Sequence, residues 1–132
     1  MKKIGILNSE ITSVLGRLGH TDCIVIADCG LPIPDSVKRI DLALMPGLPS
    51  FMDTLGAVLA DMEVEKAVIA VEMTTHNAAL HPKMLKQLGN ITIQEVSHEQ
   101  LKALTHQAKA VIRTGEATPY ANIILQAGVI FK

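Results

Sequence analysis

The chain has 132 residues, 48% of them apolar and 19% charged, with a formal net charge of -1 at pH 7. Such a length suits one domain, spanning residues 1–132, that buries about two thirds of the surface its unfolded form exposes, and the composition excludes the disordered class. A near-neutral balance without a Lys/Arg cluster, and with only one Tyr and two Phe to stack on bases, excludes nucleic acid as the main partner.

The scarcity of rings leaves a core of Ile, Val, Leu, Ala and Met, typical of α/β proteins whose parallel strands are buried on both faces. Met1, Lys2 and Lys3 could open a signal peptide, but Asn8, Ser9 and Glu10 break the apolar run behind them at once. Cys23 and Cys29 form neither a CxxC motif nor a disulfide framework. The expectation is a cytoplasmic protein, neither exported nor membrane-spanning.

Ile11, Val14, Leu15 and Leu18 fall at i, i+3, i+4 and i+7, which predicts an amphipathic helix capped by Ser9 and stopped by a left-handed Gly19. Residues 23–27 read as a central strand. The loop at 28–34 cannot continue it, because Pro32 and Pro34 remove ladder donors. A second strand is expected at 40–44. Ser50 and Asp53 open a helix through Met62, and residues 64–71 form the next strand. Residues 72–80 read as a polar loop leading into a helix from near Pro82 to Gly89.

Beyond Gly89, residues 91–96 read as a strand. Ser97 and Gln100 make a capping box for a helix over 98–107, and a strand follows at 110–113. A polar turn-rich segment over 114–122 precedes a last apolar run at 123–131. Strands and helices alternate without linker or repeat, so the expected architecture is a single three-layer α/β/α domain with a mostly parallel central sheet.

In open α/β sheets ligands settle beyond the carboxyl ends of the strands. That rule nominates Asp28, the helix start at His98, and the loop over 114–122. His20 enters its strand from the other end. Five extended residues separate the two groups by roughly 17 Å, so either His20 folds back over the sheet or a second subunit supplies the complement. Following a helix-ending glycine, His20 suits the helix's last carbonyls. It also suits a general acid/base titrating near neutrality, oriented by Asp22 or Asp28.

Asp28 reads either as an Asx turn holding Gly30 or as a substrate contact. His98 fits the first turn of a capped helix, and Tyr120 beside Asn122 offers a ring and an amide of the kind that grips sugars. His76, His81 and His106 read as solvated surface, and Arg113 and Glu116 are expected to pair with each other or with solvent. His20, Cys23 and Cys29 do not make a metal set, and no phosphate loop or GxSxG motif occurs.

Several stretches carry a resemblance: Ile6, Leu7 and Asn8; Leu18 to Asp22; Ile26 to Pro34; Arg39 to Leu42; and Ile112 to Asn122. In this order they closely resemble the D-ribose pyranase family of ribose utilisation, from the N-terminus to Phe131. The sister family, fucose mutarotase, shares the Gly-His, Ala-Asp and Gly-Glu…Pro-Tyr elements, while Arg39 to Leu42 with Gly47, Leu48 and Pro49 resembles the ribose branch. The resemblance implies interconversion of β-D-ribopyranose and β-D-ribofuranose, feeding ribokinase.

It also implies a proton-donating His20, sugar contacts at Asp28, His98, Tyr120, Ala121 and Asn122, and ring-shaped homo-oligomers, commonly decamers, with sites at subunit interfaces. Cys29 departs from the family's usual alanine, and residues 72–88 match least. The chemistry needs no metal, redox cofactor or covalent adduct: one hydroxyl loses a proton while the ring oxygen gains one. Two other readings stay open, mutarotation of another sugar such as fucose and a non-catalytic sugar-binding or regulatory module.

Overall fold

The computed structural model describes residues 1–132. In chain order the elements are α1 (Ser9–Arg17), β1 (Cys23–Ala27), β2 (Lys38–Asp41), α2 (Phe51–Leu59), β3 (Val64–Ala70) and α3 (Met73–His76). Then follow α4 (His81–Leu88), β4 (Thr92–Val96), α5 (His98–Leu104), a 3-10 turn at Thr105–Gln107, β5 (Ala110–Arg113) and β6 (Ile123–Ala127). The six strands form one sheet in the order β2-β5-β1-β6-β3-β4. Only β6 runs against its neighbours, β1 and β3; every other pairing is parallel.

The alternation of side chains along each strand builds two cores, one on either face of the sheet. Ile24, Ile26, Ile40, Ile69 and Ile112 point to the face covered by α1, α2 and α4, where Ile11, Phe51, Leu55 and Met84 meet them. Val25, Ala27, Val68, Val111 and Ile124 point to the other face, against Leu101 of α5 and the loop residues Leu31 and Val37. This is the expected three-layer arrangement. Fully buried side chains such as Ile24, Ile26, Ile69 and Ile123 each contribute about 1.5–3 kcal/mol relative to exposure.

Several local expectations are corrected. The second strand lies at Lys38–Asp41 rather than 40–44, with only Ile40 buried; as an edge strand bonded to β5 alone it carries charge outward and shows little apolar alternation. The cap of α1 is Asn8, whose side chain accepts from the Ile11 N–H, so Ser9 is already inside the helix. Gly19 is not left-handed: Leu18 ends the helix in an extended conformation, and the positive φ falls on Thr21, at 74°.

Residues 72–80 are not all loop but contain α3, a single turn held by Met73, which is fully buried. The Ser50 cap and the Ser97/Gln100 capping box form as the residues imply. The helices behind them are shorter than expected, ending at Leu59 and Leu104. The last strand stops at Ala127.

Candidate functional site

The carboxyl ends of β1, β3 and β4 and the amino end of the antiparallel β6 share one rim of the sheet. Asp28 and Asn122, the residues flanking β1 and β6 there, clasp each other: the Asp28 N–H donates to Asn122 Oδ1 at 2.8 Å, and Asn122 Nδ2 donates to Asp28 Oδ2 at 3.0 Å. Asn122 is fully buried, and this reciprocal pair fixes which way its amide points. The other oxygen of Asp28 accepts from the Gly30 N–H at 2.9 Å, the Asx turn anticipated for it, so the same carboxylate shapes the loop and faces the rim.

This pairing carries a prediction. In Asn122→Asp the donated hydrogen bond is replaced by a carboxylate facing Asp28 across about the same gap, so an acceptor loses its donor and gains a like charge. We expect a loss of about 1–3 kcal/mol in urea unfolding at pH 7, partly recovered at pH 5, where the new pair can share a proton. A variant as stable as the parent at pH 7 would show that the clasp contributes nothing.

Tyr120 forms the next piece. His98, opening α5, presents its ring edge-on to the Tyr120 ring, with centroids 5.0 Å apart and planes at 82°. His76, exposed as the sequence implies, lies on another side, 5.7 Å away and tilted by 46°. Tyr120 itself has a φ of 57°, a left-handed conformation that is strained for a bulky residue. The strain is held by neighbours: Asn77 Nδ2 donates to the Pro119 carbonyl and to Thr118 Oγ1, and the Asn122 N–H donates to the Tyr120 carbonyl. Ala121, fully buried, supplies backbone between them.

The His98 ring has its backbone pinned as well, for the His98 N–H donates to both carboxylate oxygens of Glu72 at 3.1 Å. Its Nδ1 is buried and has no partner within the chain. Buried polar atoms are ordinarily hydrogen-bonded, so this nitrogen is an unspent group on the same rim as Asp28, Asn122 and Tyr120. Glu72, His76 and Asn77 come from the stretch that the sequence left without assigned roles. Their signal was only a density of polar residues, which any loop shows.

His20 stands at the opposite rim, before β1. Its Nε2 lies 2.9 Å from Glu65 Oε2, and Gln126 Nε2 donates to Glu65 Oε1 at 2.7 Å. The expected partners, Asp22 and Asp28, are engaged elsewhere: Asp22 Oδ2 accepts from the Gly19 N–H and Asp28 belongs to the far rim. Hydrogen bonds from His20 first and Gln126 second hold the Glu65 carboxyl below the usual carboxylate range. His20 is half exposed and lines a cleft of about 370 Å³ with Leu15, Leu18, Met62 and Phe131.

The remaining expected groups have structural employment. Arg113 pairs with Asp41 at 3.0 Å and donates to the Cys29 carbonyl rather than meeting Glu116. Glu116 instead accepts from the Phe51 N–H at the start of α2 and from Thr118. His81 is half-buried rather than solvated, with its Nε2 unpartnered. Both cysteines are free thiols; burial, and then Asp22, push the Cys23 thiol above its ordinary range. No three His, Cys, Asp or Glu side chains converge as a metal site.

A strand-end rim bearing carboxylate, amide, imidazole and phenol groups has the donors and acceptors of a protein that holds a small polyhydroxylated ligand. The chain belongs to the RbsD / FucU transport protein family, whose model matches residues 1–130. It is 61% identical to a D-ribose pyranase of Bacillus cytotoxicus over 99% of this chain and 100% of that protein. A D-ribose pyranase of Laribacter hongkongensis is 59% identical, with the same coverage.

Among solved structures, Bacillus subtilis RbsD complexed with D-ribose superimposes with a TM-score of 0.97 at 54% identity, covering 99% of this chain and 100% of that one. The fucose mutarotase of Streptococcus pneumoniae, solved with L-fucose, shares the fold at a TM-score of 0.77 and 24% identity, covering 95% of each chain.

Proposed function

We propose that this chain is a D-ribose pyranase, an enzyme that interconverts β-D-ribopyranose and β-D-ribofuranose by general acid/base ring opening. The observation that carries the reading is the rim of Asp28, His98, Tyr120 and Asn122, with the buried, unpartnered Nδ1 of His98 among them. The full-length likeness to proteins named D-ribose pyranase, and to a relative bound to D-ribose, supports it. In this reading Asp28, His98, Tyr120, Ala121 and Asn122 hold the sugar hydroxyls and His20 moves the proton.

The reaction balances without any added group. The anomeric hydroxyl gives up its proton as the C1–O bond to the ring oxygen breaks, the ring oxygen takes a proton, and the open aldehyde results. Closure through the hydroxyl on C4 reverses both transfers and yields the five-membered ring. His20 serves as the donor and acceptor, since an imidazole carries one nitrogen that holds a proton and one that can take it. The product is the furanose form that ribokinase phosphorylates.

The separation of His20 from the other rim supports a site completed by a neighbouring copy. His20's cleft is bordered by Phe131, 73% exposed, next to Ile130, 91% exposed; apolar side chains so placed suit burial against another subunit. We read the working form as a ring-shaped homo-oligomer, a decamer, acting in the cytoplasm, where the two free thiols are at home. No helix is long and apolar enough to cross a membrane.

Saturation-transfer NMR on D-ribose tests the activity directly. The protein should accelerate exchange between pyranose and furanose signals on the order of a hundred- to ten-thousand-fold, the scale of general acid/base help. Ribose binding without faster exchange would make this a non-catalytic sugar module, and faster exchange of fucose than of ribose would reassign the substrate.

A further inference from the structure

Glu65 lies away from the sugar-facing rim, yet three features of the sheet serve to aim it at His20. The register of β3 against β6 slips here: Val64 faces Ala127 and Lys66 faces Gln126, so Glu65 is an extra residue opposite a single step of the partner strand. Such a bulge turns a side chain out of the ladder and re-aims it. Gly128 leaves room for the displaced side chain, because a Cβ built on Gly128 would come within 3.2 Å of Glu65 Cβ. Gln126, the ladder neighbour, then clamps the far oxygen of the carboxylate at 2.7 Å while the near one meets His20 Nε2 at 2.9 Å.

An exposed ion pair on its own contributes little to stability, and Glu65 is exposed. A bulge, a clearing glycine and an amide clamp directed at one imidazole are more than such a pair requires. We propose that Glu65 is the positioning residue for His20: it accepts the Nε2–H, fixes the plane and tautomer of the ring, and leaves Nδ1 as the nitrogen that exchanges a proton with the sugar. A carboxylate that only accepts stabilises the N–H on the nitrogen it faces, and so decides which nitrogen keeps its lone pair. The same division of labour, one group transferring the proton and a second orienting it, recurs in unrelated acid/base sites. Gln126 holds the orienting group in turn.

This inference rests on the proton-transfer role given to His20, and its test separates the two. In the unaltered protein, 15N-labelled on histidine, the neutral His20 ring should carry its proton on Nε2. Glu65→Ala should lower kcat for ribose exchange on the order of tenfold to a hundredfold, short of the loss of the whole acid/base group. KM should stay close to the parent value and the tautomer preference should be lost. Glu65→Gln keeps one acceptor oxygen for the His20 Nε2–H, with the Gln126 amide turned over to accept from the new NH2, so it should recover part of the rate that Glu65→Ala loses.

A His20 ring protonated on Nδ1 in the unaltered protein overturns the assignment, as does Glu65→Ala with the parent kcat. So does a fall in rate that tracks loss of assembly in light scattering. Full exchange activity in His20→Ala would overturn instead the role of His20 itself.

Discussion

His20→Ala should reduce enzymatic ribose exchange by about a hundred- to ten-thousand-fold while leaving the fold and most ribose binding in place. The expectation of intact stability follows from exposure. The His20 side chain retains 52% of its accessible surface and makes one hydrogen bond, to a carboxylate that is itself 38% exposed, and exposed pairs of this kind contribute little to stability. The expectation of intact binding follows from location, for the Asp28–Asn122 clasp and the His98–Tyr120 ring pair sit on the other rim. A rate unchanged by the substitution would remove His20 from the chemistry.

Mixing His20→Ala chains with Asn122→Asp chains, after dissociation and reassembly, adds a sharper result. If each site joins His20 of one subunit to the Asn122 rim of another, some sites in the mixture receive both intact halves and exchange returns. If both halves served one site within one chain, no mixture could recover.

What the residues alone conveyed about this fold follows from where each signal arises. The strand at Cys23–Ala27 and the capped starts at Ser50 and Ser97 are local events, decided by neighbouring side chains, and the structure has them where the pattern implies. The edge strand β2 was displaced because Lys38, Arg39 and Asp41 face solvent and give no alternation to read. Of the proposed site residues, Asp28, His98, Tyr120 and Asn122 were legible as polar groups beyond strand ends, and the sheet brings them to one rim.

Glu65 and Gln126 were not legible, because their meeting with His20 depends on β6 being inserted antiparallel between β1 and β3. No local spacing encodes that order. Tyr120 and Thr21, the two non-glycine residues with positive φ, mark the same division. One lies on the rim of Asp28 and Asn122 and the other directly follows His20, so backbone strain is spent at both halves of the proposed site, and neither residue type announces it in sequence.

Gly115→Ala should be the most damaging single methyl addition near this site, lowering stability by about 3 kcal/mol or more, which corresponds to a fall of roughly 10 °C in Tm. The cause is close approach rather than backbone freedom. A Cβ at Gly115 would collide with the backbone of Leu48, within 2.6 Å of its carbonyl carbon and its nitrogen and against its carbonyl oxygen. Backbone cannot rotate away as a side chain can. The loop over 45–49 would have to lift, and it is tied to Gly115 by two hydrogen bonds, from the Gly115 N–H to the Pro49 carbonyl and from the Gly47 N–H to the Gly115 carbonyl.

Lifting that loop also disturbs the start of α2, where Glu116 accepts from the Phe51 N–H. From Glu116 a relay passes through Thr118 to Asn77, which holds the Pro119 carbonyl beside Tyr120. The variant should therefore bind ribose more weakly as well as melt earlier. Gly16→Ala is the matched control: nothing lies within 4 Å of a Cβ there, it sits inside α1, and removing a helical glycine stabilises by about 0.5–1 kcal/mol. The same methyl group should thus act with opposite sign at the two positions, and a Gly115→Ala protein melting within two or three degrees of the parent, by about the smallest shift a 1 kcal/mol change produces, would show that the loop over 45–49 yields freely and does not brace the site.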